Sequence, residues 1–115
     1  MLVIISPAKN LDYKTNSPTQ LHTSSSFLEE SSYLIEHLKQ LNTEEIGKLM
    51  SISPALSNLN VERYQNWQLP FSLDNSKQAI FAFNGEVYTG LDAYSFTKKQ
   101  LEKAQKTLRI LSGLY

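Results

Sequence analysis

A run of four large apolar residues, Leu2-Val3-Ile4-Ile5, opens the chain, and Ser6-Pro7 stops it. Three of the four are β-branched, and no polar residue alternates with them. Such a segment suits a central strand covered on both faces better than a half-exposed one. Proline fixes φ and removes the donor a further ladder bond needs, so Pro7 ends the strand. The next residues, Ala8-Lys9-Asn10-Leu11-Asp12, therefore stand at a strand's carboxyl end. In open α/β sheets ligands collect there, which makes Ser6, Lys9 and Asp12 the first candidate site residues.

The chain's 115 residues suffice for one domain with a real core, and 41% hydrophobic with 19% charged residues is an ordinary globular composition. No apolar run approaches a membrane span, and the start lacks a basic region followed by a hydrophobic stretch and a cleavage site, so a cytoplasmic protein is expected. With no cysteine, disulfides, thiolate metal sites and thiol catalysis are excluded from this segment. His22 and His37 form no recognisable ligand spacing. The zero net charge conceals an asymmetry. Residues 1–92 hold six basic and ten acidic residues, whereas residues 93–115 hold five basic and one acidic. A basic end of this kind is either a solvated helix face or part of an anion-binding surface.

Residues 12–26, rich in Thr, Ser, Asn and Pro, read as a long loop. Ser26 with Glu29 has capping-box spacing, and Phe27, Leu28, Leu34, Ile35, Leu38 and Leu41 then recur at helical spacing. Asn42 with Glu45 repeats the box before Ile46, Leu49 and Met50. Ser53-Pro54 reads as a cap with proline at the first helical position, and the helix it starts ends before Leu69-Pro70. These last two helices are either a helix-hairpin-helix, whose turn amides hold a phosphate, or a plain helical hairpin. The turn contains no glycine, which favours the plain hairpin.

Ala79-Ile80-Phe81-Ala82-Phe83 reads as a second buried strand. The following Asn84-Gly85 signals either a hairpin into Glu86-Val87-Tyr88 or a loop at the end of a parallel strand, with Glu86 and Tyr88 beside the Lys9 loop. Thr97 with Gln100 caps a helix bearing Leu101, Ala104 and Leu108 on one face and Lys98, Lys99, Lys103 and Lys106 on the others. Leu108-Arg109-Ile110-Leu111 reads as a strand, completing a strand-helix-strand crossover. The fold class expected is α/β, with α+β the alternative: a partial mixed sheet with flanking helices.

Ile5-Ser6-Pro7-Ala8-Lys9 with Leu11-Asp12, Ala82-Phe83-Asn84-Gly85-Glu86-Val87-Tyr88 with Gly90-Leu91, and Leu108 to Tyr115, taken in order, resemble the bacterial peroxide stress response proteins of the YaaA family. Asn10 stands where that family more often has threonine. Family members are longer and continue past Ser112-Gly113-Leu114-Tyr115, so the resemblance implies that residues 1–115 are the amino-terminal part of a single domain of unusual α/β fold, with the carboxyl-terminal part missing. It also implies a cytosolic protein that limits damage from unincorporated iron under peroxide stress and binds DNA in a positively charged cleft. No enzymatic reaction, cofactor, membrane or protein partner is implied.

Nucleic-acid or anion contacts would then fall among Ser6, Lys9, Asp12, Lys48, Arg63, Asn84, Gly85, Tyr88, Lys98 and Arg109. The rival reading is an enzyme acting on a nucleotide, damaged DNA or another anionic substrate through Lys9 and nearby carboxylates; imine chemistry there would require a buried lysine. Direct iron chelation is the weakest reading, because Asp12, Glu86 and Asp92 show no ligand spacing. A truncated domain would leave an open edge at Leu108 to Leu111 and is expected to fold marginally or to associate when expressed alone.

Overall fold

Local capping chemistry sets three of the six α-helices. In the computed structural model, which describes residues 1–115, the chain is a mixture of helices and short strands. Its two compact units are residues 1–24 with 71–113, and residues 25–70 with 114–115.

The second unit is helical. Its first helix, α1 (Leu28–Leu38), lacks the anticipated Ser26–Glu29 box: Phe27 is the N-cap and gives no side-chain cap bond. Ser31 is instead buried, its hydroxyl donating to Phe27 O and to the Leu114 carbonyl. Helix α2 (Thr43–Met50) carries the full Asn42–Glu45 box, with Glu45 N donating to Asn42 Oδ1 at 2.9 Å and Asn42 N to Glu45 Oε1 at 3.1 Å. Helix α3 (Pro54–Asn66) begins at the Ser53 cap with proline in its first turn.

The α2–α3 turn is made by Ser51 at φ 54, a left-handed position filled without glycine. The glycine this pair needs sits inside α2. A Cβ on Gly47 would stand 2.8 Å from Oγ of the buried Ser57, so its absence lets the two helices approach. Ile35 and Ile46, both fully buried, supply the apolar centre. Gln65 Nε2 donates to Lys39 O at 3.0 Å, tying the far end of α3 to the end of α1.

The first unit carries the strands. β1 (Val3–Ile5) pairs in parallel with β4 (Leu108–Ile110), in the register Val3 to Leu108, Ile4 to Arg109 and Ile5 to Ile110. A separate antiparallel pair joins β2 (Asn10–Leu11) to β3 (Phe83–Asn84). The expected strand over Ala79–Phe83 is thus mostly a single helical turn, α4 (Ala79–Ala82), because the Phe81 and Ala82 amides both donate back to Gln78 O. An apolar run this short does not distinguish buried strand from buried turn by its own pattern. The crossover expected between that segment and β4 is absent, and the parallel partner of β4 is β1.

Asn84-Gly85 does not form a hairpin. Gly85 is extended at φ −174, whereas a type I′ turn needs positive φ, and Glu86 to Leu91 form α5. Asp92, at φ 50, ends α5 and leads into a 3-10 turn at Ala93–Ser95. Helix α6 (Lys98–Thr107) carries the expected Thr97–Gln100 box. Phe81, Ala82, Tyr88 and Ala93 are the buried apolar residues of this unit, with the Phe81 and Tyr94 rings 5.1 Å apart.

β1 is not covered on both faces. Leu2, Val3 and Ile4 are 56%, 40% and 55% exposed, and β4 is the one strand paired with β1.

Candidate functional site

The residues after β1 are held from two directions. The β2–β3 ladder sets Asn10 opposite Asn84 and Leu11 opposite Phe83, and Asp12 N donates to Ala82 O at 2.7 Å. Beneath them the buried Tyr88 donates its hydroxyl proton to Ser6 O at 2.6 Å. Burial pushes that phenol's pKa up, so the hydroxyl stays a donor at neutral pH. Gly85 passes so close to the loop that an added Cβ would lie 3.2 Å from Ala8 Cβ; room, not φ, favours glycine there. Ser6, Asn84, Gly85 and Tyr88 are therefore brought together around the Lys9 loop.

Lys9 itself is exposed, and its ammonium has no hydrogen bond or ion pair. An exposed lysine lacks the burial that imine chemistry requires, whereas it suits the recognition of an anion.

Asp12 turns inward on its own loop. The amides of Lys14 and Thr15 both donate to its Oδ1 at 2.9 Å, forming an Asx turn. A side-chain hydrogen bond from Thr15, followed by these amides, lowers the carboxyl pKa from the ordinary 3.8 to about 2. The carboxylate is thus committed to the loop. Because the folded state holds the charged form more tightly, this contribution is complete above the unfolded value and disappears as pH falls from 3.8 toward about 2. A carboxyl carbon titration by NMR should place the Asp12 midpoint at about 2, and Asp12→Ala should remove the stability lost across that window; a midpoint near 3.8 would contradict the assignment.

Two residues that no local pattern singles out pin the long loop. Lys77 Nζ donates to Asp12 O at 2.8 Å, Thr15 O at 2.7 Å and the Tyr94 hydroxyl at 2.9 Å. Tyr94 in turn donates to Phe81 O at 2.9 Å, which links the loop to the core. Gln78 accepts from the Ser17 hydroxyl at 2.7 Å and donates to Thr19 O and Leu21 O, each at 3.0 Å. Tyr13, Thr15, Ser17, Thr19, Asn75 and Lys77 border a shallow polar cavity beside these contacts.

The remaining candidates are dispersed. Arg109, opposite Ile4 in the sheet, folds its guanidinium back to donate to Gln105 O and Leu108 O, both at 2.8 Å, closing the carboxyl end of α6. Lys98 opens α6 and, like Lys99, Lys103 and Lys106, is exposed without an ion pair.

Lys48 and Arg63 belong to the other unit. Lys48 is paired with Glu44 at 3.2 Å, and Arg63 partly offsets the upward push of burial on the Tyr64 phenol. In the α2–α3 turn the amides of Ser51 and Ile52 both donate to Gly47 O, so neither is free to hold a phosphate. The first unit holds eight basic and five acidic residues, net +3, and the second three basic and six acidic, net −3. Positive charge and the Lys9 loop thus coincide in one unit. No group of three or more His, Asp or Glu stands close enough to hold a metal ion, and no helix is long and apolar enough to cross a membrane.

The family model described as peroxide stress protein YaaA matches residues 1–115. A UPF0246 protein of Hahella chejuensis (strain KCTC 2396) is 52% identical over 115 residues, covering all of this chain and 45% of the relative. A UPF0246 protein of Saccharophagus degradans (strain 2-40 / ATCC 43961 / DSM 17024) is 55% identical over the same share of each chain, and one of Shewanella oneidensis 50%. The chain spans less than half the length of these curated relatives. Matched along its whole length, the chain belongs to the peroxide stress protein YaaA family.

Proposed function

We propose that residues 1–115 are part of a single YaaA-type domain of a cytoplasmic protein that responds to peroxide stress by limiting damage from intracellular iron, and that it does so through DNA binding. The family match over the whole chain carries the stress role. The DNA contact is assigned to the first unit, where the unpaired ammonium of Lys9 stands on a loop fixed by the Tyr88 hydroxyl and the β2–β3 ladder, and where four unpaired lysines line α6. Phosphates are recognised by such charges without sequence preference, and affinity then depends on the counterions released. The α2–α3 pair acts here as a packing hairpin, since its turn amides are occupied and its unit is acidic.

Fluorescence anisotropy with a labelled duplex, repeated across a salt series, tests the reading. Binding should weaken steeply with salt, and Lys9→Ala should reduce the slope of log affinity against log salt by about 1, the signature of one lost phosphate contact. Salt-independent binding, or an unchanged slope in Lys9→Ala, would overturn it.

A further inference from the structure

Thr, Asn, Ser and Gln dominate residues 15–20, and this stretch faces a second polar one, Asp74-Asn75-Ser76-Lys77, across a cavity of about 450 Å³. That volume lies within the range of small-molecule sites. Its walls are fixed before anything enters. On one side Gln78 holds the Ser17 hydroxyl and the carbonyls of Thr19 and Leu21. On the other, Ser72 N donates to Asn75 Oδ1 at 2.8 Å and the Ser76 hydroxyl donates to Ser72 O. Preformed walls spare a ligand the cost of ordering them.

The groups left over define what fits. Asn16, Gln20 and Asp74 border the cavity, and no hydrogen bond or ion pair within the chain engages their side chains. Lys77 borders it too, but its three donors are taken by Asp12 O, Thr15 O and the Tyr94 hydroxyl. The uncommitted charge at this rim is therefore a carboxylate, which repels phosphates and other anions. An ammonium would meet Asp74, but it brings donors alone, leaves the Asn16 and Gln20 amide donors unmatched, and enters a unit of net charge +3. A hydroxyl both donates and accepts, as a primary amide does, and two hydroxyls on neighbouring carbons can give both protons to one carboxylate. Tyr13, 57% exposed, adds an aromatic face at the same rim for the C–H side of a ring. We propose that this cavity is a binding site for a neutral vicinal diol, the ring of a free sugar or the ribose of a nucleoside. Lys9 does not border it, so the proposal stands apart from the DNA contact.

The test is a proton–nitrogen NMR titration of the full 115-residue chain with adenosine and, separately, with methyl riboside. Saturable shifts of the Asn16 and Gln20 side-chain amides are expected. Shifts with both ligands would make the diol alone the determinant, and shifts with adenosine alone would make the ligand a nucleoside. Deoxyadenosine and methyl deoxyriboside, each missing one hydroxyl of the pair, should bind at least about tenfold more weakly, and Asp74→Ala should weaken the parent ligands by a similar factor while backbone amides away from the cavity keep their positions. Inorganic phosphate should leave both side chains unmoved. No shift with either ligand, equal affinity for the deoxy compounds, undiminished binding by Asp74→Ala, or stronger shifts with phosphate would overturn the proposal.

Discussion

Phe81→Ala should lower the stability of the first unit by about 4 kcal/mol, the usual cost of emptying a fully buried phenylalanine site. Phe81 is 2% exposed and is the largest fully buried side chain in a unit whose other buried apolar residues are Ala82, Tyr88 and Ala93. Two of those are alanines, which cannot swing into the space. The ring also stacks at a tilt on Tyr94, and the Phe81 carbonyl receives the Tyr94 hydroxyl, so relaxation around a cavity would disturb the Lys77 cluster as well. Small domains have a total stability of roughly 5–15 kcal/mol, so the variant should melt about 15–25 °C lower or be unfolded at room temperature. Thermal denaturation followed by circular dichroism measures it. A shift under about 5 °C would mean that Phe81 is not the centre of this core.

Lys77→Met should cost about 3 kcal/mol and release residues 12–15 from the body of the unit. Methionine keeps most of the aliphatic stem but none of the three donors, leaving the carbonyls of Asp12 and Thr15 and the Tyr94 hydroxyl without their shared partner. Hydrogen bonds from a charged donor are worth more than neutral ones, and these three converge on one atom. The effect should be local before it is global. Amide exchange at Lys14 and Thr15, whose protons are held by Asp12, should accelerate about 100-fold, while amides of α2 and α3 change little. Uniform acceleration across both units would show that Lys77 supports general stability and not this loop.

What was readable in advance was the chemistry that closes within a few residues. The Asn42–Glu45 and Thr97–Gln100 boxes and the Ser53-Pro54 start each complete their hydrogen bonds inside one helical turn, so spacing alone identified them. Ser26–Glu29 has the same spacing and fails, because Ser31 and Phe27 form an alternative start that includes the carbonyl of Leu114, eighty-three residues away. The site divides in the same way. Lys9 and Ser6 followed from a strand stopped by proline, whereas Tyr88 was set beside them by one of two readings of Asn84-Gly85, a loop after a parallel strand, and it lies there after a helical turn and an antiparallel pair instead. Lys77 and Gln78 were invisible, since their partners on the long loop lie 57–65 residues off and a lone polar pair before an apolar run carries no local signal.

The sequence by itself determined the α/β character, the capped helices, the end of β1 at Ser6-Pro7 and the membership of the family. Tertiary structure alone decided that Ala79–Ala82 turns helically, that β4 pairs with β1, and that positive charge gathers in the unit bearing Lys9. The physical reason is range. Caps and proline stops are satisfied by neighbours along the chain, whereas a strand's partner, a lysine's acceptors and the cover over an apolar face come from residues that only folding brings near.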